Sequence, residues 1–178
     1  MEKLTVDFAK TCGAIKPMHA VNNGPVYKFA LDQRITNIDH FIAAGIPYAR
    51  NHDASFFTGY GGEHIVDVHR IFKNFDADET NPENYIFEPT DILIKTTLDA
   101  GTQTFYRLGA SIEHGYKMGT YPPKDFAKWA RICEHIVRHY NEGWADGFHL
   151  DIEYWEIWNE PNFVPQCWTG TTTQFYDL

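Results

Sequence analysis

Positive charge is scarce in this sequence. Its 178 residues carry 15 Lys and Arg against 24 Asp and Glu, a formal charge of −9. No basic run offsets that deficit, so the electrostatic footprint needed to grip a phosphate backbone or an anionic lipid surface is missing, and neither nucleic acid nor a membrane surface is expected as a partner. Cysteine is sparse as well. Cys12, Cys133 and Cys167 are odd in number, far apart and free of any CxxC pair, which argues against a disulfide framework and a thiolate zinc site. Nothing approaches the roughly 18 apolar residues of a membrane span, and the opening MEKLTVDFAK has no hydrophobic signal core. The expectation is a cytosolic chain with reduced thiols. Low-complexity tracts and linkers are also missing, so residues 1–178 read as one domain.

Aromatic residues are plentiful: 5 Trp, 10 Tyr and 13 Phe make 16% of the chain, beside 9 His. Such rings fill cores, and they also stack on the apolar faces of sugars. Length sets another bound, because a complete (β/α)8 barrel needs about 250 residues, with about 200 as a floor.

Apolar periodicity divides the chain into alternating elements. Leu4, Val6 and Phe8 alternate as in a half-buried strand, and Ile15 to Ala20 reads as a second strand that empties into the turn-rich Val21 to Pro25. Ile38, Phe41 and Ile42 then follow helical spacing, with Thr36 as N-cap and Gly45 as the stop, before a short strand from Ile46 to Ala49. The same grammar returns in a helix opening at Thr90-Asp91, ending at Gly101 and followed by the strand Phe105 to Leu108. A third helix begins at Pro122-Pro123, with Phe126, Trp129, Ala130, Cys133, Ile136, Val137 and Tyr140 on one face, and leads to a strand from Ile152 to Trp158. Repeated helix-to-strand units predict an α/β chain with parallel strands, each helix supplying the crossover. Thr171 to Gln174 forms a capping box, and the sequence stops at Leu178, barely a turn beyond it. The connection from Ala54 to Pro89 has no sustained period, although Ile65, Val66, Val68, Ile71 and Phe72 suggest a partial strand.

The sharpest feature is the run Tyr154-Trp155-Glu156-Ile157-Trp158-Asn159-Glu160-Pro161-Asn162. Ligands meet parallel sheets at the C-terminal ends of the strands, so an Asn-Glu pair just past Trp158 stands where chemistry would occur. A carboxyl beside two tryptophans also suits a general acid. The plainer alternative is a polar turn, with Pro161 blocking further pairing.

EIWNEPN resembles the acid/base motif of the clan A glycoside hydrolases. The longer pattern of PPKDFAKWARICEHIVRHY and EYWEIWNEPN, with YARNHD and KPMHAVNNGP upstream, is similar to family 39, which includes β-xylosidases and α-L-iduronidases. The resemblance implies the first four strands of a TIM barrel, the N-terminal half of a retaining glycosidase acting on an oligosaccharide or glycoside. It makes Glu160 the general acid/base and Asn159 the partner of the sugar 2-hydroxyl. It also casts Arg50 as the arginine that keeps the nucleophile ionised and His52 as a sugar contact. Without the resemblance, Arg50 is equally a structural ion-pair partner and His52 a surface-loop residue. Trp158, flanking the acid, and His19, near Asn22 and Asn23, are further candidates for substrate binding, His19 being equally a loop residue.

Two departures accompany the likeness. Retention needs a second carboxylate about 5 to 5.5 Å from the acid, drawn in this clan from a seventh strand, and no Glu follows Glu160. Asp53 also stands where the xylosidases commonly have Gly. The expectation is therefore a chain that carries the acid/base without the nucleophile, or else a non-catalytic carbohydrate-binding or self-associating half-barrel with exposed strand edges.

No cofactor or metal is expected. Glu134, His135 and His139 mimic a zinc helix, but the glutamate is out of order and His135 points away from the apolar stripe, toward solvent. His64, Asp67 and His69 have no distinctive spacing. Tyr106 and Arg107, on the third strand, are open to either a site or a core role, with Tyr106 leaning to the core.

Overall fold

A computed structural model describes residues 3–30, 33–52, 64–111 and 120–178. The chain runs through β1 (Val21–Asn22), a hairpin of β2 (Tyr27–Ala30) and β3 (Gln33–Thr36), α1 (Ile38–Ala44) and β4 (Tyr48–Arg50). It continues through α2 (Val68–Ile71), a 3-10 turn (Pro82–Asn84), α3 (Glu88–Asp99), β5 (Gln103–Leu108), α4 (Phe126–Glu142), β6 (Tyr154–Ile157) and α5 (Thr172–Asp177). Strands β1, β4, β5 and β6 form one sheet in that order, and each neighbouring pair is parallel. Strands in chain order with helices between them make a partial α/β barrel, as the repeated units predict.

Register decides which face each side chain occupies. Arg50 pairs with Phe105, Phe105 with Tyr154, and Arg107 with Glu156, so these residues share one face of the sheet. Ala49, Tyr106 and Leu108 fall on the other face and are buried. There Tyr106 stacks on Trp155 at 4.8 Å and meets Tyr140 of α4 at 5.5 Å. Trp129, Ile132, Cys133 and Ile136 of the same helix complete this core.

Helix α4 begins later than its prolines suggest. Asp125, in extended backbone, accepts the Lys128 N–H and caps the helix, leaving Pro122 and Pro123 ahead of it. Its buried surface is also wider than the expected stripe. Ala130 is exposed, whereas His135 and His139, at 8% and 2% exposure, are buried, so the solvated face expected for His135 is not observed. The reason is that Tyr85, Phe87, Trp144 and Phe148 cover that side of the helix. His139 stacks on Phe87 at 3.6 Å, and His135 packs 4.5 Å from Trp144. Both imidazoles are held by carbonyls, of Arg131 and of Trp144, and His139 also reaches Asp91. They are core histidines.

The N-terminal expectations fail. Leu4, Val6, Phe8 and Ile15 are exposed, and among the described residues no strand forms before Val21. Alternation alone stabilises nothing without a neighbour to pair with. The strand lies instead at Val21–Asn22, within the segment expected to turn, because that is where parallel pairing with Ala49 and Arg50 is available. The stretch from Ile65 to Phe72 forms the one-turn helix α2 rather than a partial strand, since spacing of three buries Val68 and Ile71 together. Asn37, not Thr36, occupies the N-cap position of α1, although the Thr36 hydroxyl still accepts the Ile38 N–H at 3.2 Å. Gly45 closes α1 in the left-handed conformation, and the Thr171–Gln174 capping box is present.

Candidate active site

Arg50 organises the C-terminal end of the sheet. As the last residue of β4, it points from the shared face and forks onto Glu156 of β6, with Nε to Oε2 at 2.5 Å and Nη2 to Oε1 at 2.9 Å. The same Nη2 donates to Asn159 Oδ1 at 2.8 Å, and Nη1 donates to Asn22 Oδ1 at 3.2 Å. Residues from β1, β4 and β6 thus meet on one guanidinium, whose planar fork suits bidentate recognition of a carboxylate. The pair is partly open to solvent, with side chains 25% and 31% exposed. Closer to the strand starts, Tyr48, Phe105 and Tyr154 form an aromatic tier on the same face, Tyr154 lying 5.5 Å from each of the other two rings.

Beyond β6 the backbone turns sharply. Trp158 and Glu160 adopt positive φ, at 69° and 39°, a conformation that costs a non-glycine residue about 1–3 kcal/mol and concentrates at functional sites. Trp158 N–H still donates to Leu108 O, and its indole donates to Cys167 O at 2.7 Å. Trp158 is 3% exposed, and its ring packs between Trp129 and Trp168. Gly109 makes this crossing possible. With φ at 99°, a Cβ there would stand 2.6 Å from Trp158 Cε3 and 3.0 Å from Trp158 Cα.

Asn159 is buried at 3%, and both ends of its amide are engaged, Oδ1 by Arg50 and Nδ2 by Cys167 Sγ at 3.5 Å. Glu160 is exposed, and its carboxylate makes no hydrogen bond or ion pair among the described residues. The two tryptophans are committed elsewhere, Trp158 to the core and Trp155 to Tyr106 and the Ile152 carbonyl. Glu160 therefore stands free at the strand ends, able to meet a ligand arriving from solvent.

His52 lies two residues beyond Arg50, its N–H held by Asn23 Oδ1 at 3.1 Å. His19 does not join this group. It precedes β1, is exposed, and its Nε2 lies 2.9 Å from Gly45 O, at the end of the sheet where the strands begin. Asp53 lies outside the described residues, as do Gly59, Gly61 and Gly62 of the long connection.

Glu156 is the residue the sequence reading passed over. Its signal was present, because a lone charge at alternate spacing from Tyr154 in an aromatic strand must face a partner or water. Arg107 and Asp67 were also undervalued. Both are buried, at 0% and 1%, and they pair at 2.5 Å. No group of three metal-binding side chains occurs among the described residues.

No protein-family model matches the sequence. Over 106 residues the chain is 26% identical to a beta-xylosidase of Caldicellulosiruptor saccharolyticus, an alignment that covers 53% of this chain and 21% of that protein. A crystal structure of a glucosidase from Croceicoccus marinus superposes with a TM-score of 0.71 at 24% identity, covering 94% of this chain and 34% of that one. The chain thus spans about a fifth of the length of the former protein and about a third of the latter. The structural likeness shows the fold, a partial α/β barrel, and both similar proteins carry glycosidase names.

Proposed function

We propose that this chain carries the acid/base half of a retaining glycoside hydrolase site of the family 39 type, acting on O-glycosidic bonds in a β-xylosidase-like manner. The observation that carries this reading is the Arg50 fork at the strand ends, with Asn159 on the same guanidinium and an unengaged Glu160 next in sequence. In the proposed chemistry, Glu160 protonates the departing oxygen as the glycosidic bond breaks, then removes a proton from the water that releases the sugar. Exposure of its carboxyl suits both steps, since leaving group and water arrive from the same side.

A retaining reaction requires a second carboxylate to form the covalent glycosyl intermediate. The proposed source is a later strand of a complete barrel, which would extend the sheet beyond β6. In that setting Arg50, already bound to Glu156, would bring positive charge toward the incoming nucleophile. His52, beside Arg50, is the proposed sugar contact, and Trp158 acts indirectly by fixing the turn that presents Glu160.

A second reading is a non-catalytic sugar-binding or self-associating half-barrel. It is favoured by the unshared edges of β1 and β6, each with one strand partner among the described residues. NMR titration of the 178-residue chain with xylobiose and with cellobiose tests the common element. Saturable binding that is lost in Arg50→Ala is expected, and no saturable shift with either sugar would refute a carbohydrate site. An aryl β-xyloside separates the two classes: double-displacement hydrolysis by the chain alone would refute the missing-nucleophile reading. Light scattering addresses association, and a strict monomer at high concentration would remove the self-associating alternative.

A further inference from the structure

The geometry points to Asp67, Arg107 and Ser111 as a buried clamp that positions His52 in the site, an inference that rests on the carbohydrate-site reading above. Asp67 immediately precedes α2, Arg107 lies in β5, and Ser111 follows that strand. All three are buried, at 1%, 0% and 0%. Arg107 Nη2 faces three acceptors, Asp67 Oδ1 at 2.5 Å, Ser111 Oγ at 2.7 Å and the more distant His52 carbonyl at 3.2 Å, so its two protons are shared among them. The Ser111 hydroxyl lies 2.6 Å from the same carbonyl and 2.9 Å from Asp67 Oδ1.

Proton counting assigns the directions. Ser111 has one hydroxyl proton. Asp67 Oδ1 is already served by Arg107 and by the Ser111 N–H at 2.9 Å. The shorter contact directs the hydroxyl proton to His52 O, which Arg107 reaches only at 3.2 Å, and the guanidinium on the serine oxygen strengthens that donation. The His52 N–H is meanwhile held by Asn23 from the β1 side. Next to it, the Asn51 side chain accepts the Arg107 N–H at 2.7 Å. Both backbone polar groups of His52 are thereby fixed, one from each neighbouring strand.

The pairing geometry separates this role from plain stabilisation. A buried Arg–Asp pair held for strength is best made bidentate, with both carboxylate oxygens engaged. Here Asp67 Oδ2 and Arg107 Nε have no partner among the described residues, while a single oxygen and a single terminal nitrogen serve Ser111 and His52. The pair sacrifices its own best geometry to converge on one backbone carbonyl beside Arg50.

Removing Asp67 or Arg107 would strand a buried charge and unfold the chain, so the test uses Ser111→Ala, with Ser111→Thr restoring the hydroxyl. Carbon-detected NMR reads the His52 carbonyl, and xylobiose titration reads the site. Ser111→Ala is expected to shift the His52 carbonyl resonance, leave the Asn22 side-chain resonances in place and weaken xylobiose binding on the order of fivefold to tenfold. Ser111→Thr is expected to reverse both changes. An unmoved His52 carbonyl in Ser111→Ala would overturn the clamp, and so would a moved carbonyl with unchanged affinity. If the unaltered chain binds no xylobiose, the site reading fails instead, and the carbonyl shift alone then decides whether the clamp holds His52.

Discussion

Gly109→Ala perturbs the site through one methyl group, and its cost follows from two separate causes. At φ 99° the backbone lies in a region that L side chains rarely adopt, which costs about 1–2 kcal/mol for a residue with a Cβ. The new methyl would also lie 2.6 Å from Trp158 Cε3, 2.9 Å from Cδ2 and 3.0 Å from the Trp158 Cα. That ring is held 4.9 Å from Trp168 and 6.0 Å from Trp129, with its N–H bonded to Cys167 O, so it has little room to yield. Overpacking of this kind costs about 1–3 kcal/mol. The expected loss is therefore about 2–5 kcal/mol, or roughly 4–20 °C in Tm for a domain of this size. Urea unfolding gives the stability change, and near-UV circular dichroism reports the Trp158 environment. A loss under about 1 kcal/mol with an unchanged tryptophan signal would refute both the strain and the crowding assigned to this crossing.

Glu156→Gln should cost about 1 kcal/mol or less by urea unfolding, because the pair with Arg50 is partly exposed; it should nevertheless weaken xylobiose binding, and unaltered affinity would remove Glu156 from the site. The Glu79 carboxyl is held down to about 2, first by the Arg131 side chain and then by a backbone hydrogen bond, with Lys128 adding to the effect. A depressed carboxylate stabilises the fold above its unfolded value and loses that contribution as pH falls through the folded one. Unfolding midpoints should therefore decline from about pH 4.5 toward 2, and Glu79→Gln should flatten that decline; an identical profile in the variant would contradict the assignment. Cys12 is exposed, whereas burial pushes the Cys133 thiol far up. At pH 8 iodoacetamide should label Cys12 and spare Cys133 until the chain is denatured, as peptide mass mapping would reveal.

Elements with a strong period and a chemical stop were legible in the sequence. Gly45 ends α1, the turn ending at Gly143 closes α4, whose start shifted from Pro122-Pro123 to Asp125, and the parallel sheet follows from the repeated helix-to-strand units. Failures arose where tertiary contacts overrode a local pattern. The alternation of Leu4, Val6 and Phe8 found no strand to pair with, and His135 was buried by a loop whose path no periodicity encodes. The site was legible in the same divided way. Glu160 and Asn159 stand beyond the last strand, as the order of elements implies, and Arg50 lies at the end of its own. The bond between Arg50 and Glu156 depends on register across three strands, which no single segment contains. His19 moved to the opposite end of the sheet because β1 begins after it rather than ending before Val21.

The Arg50 fork also orders events during folding. Its partners Glu156 and Asn159 lie 106 and 109 positions downstream, whereas Asn22 is only 28 away. Each helix-to-strand unit can form from contacts close in sequence, but the fork closes only when β6 docks beside β5. Long-range closures of this kind are slow relative to local ones. During synthesis the arginine therefore emerges well before its carboxylate, with the β1 amide as its early partner among the described residues, and the candidate-site end of the sheet is completed when β6 docks.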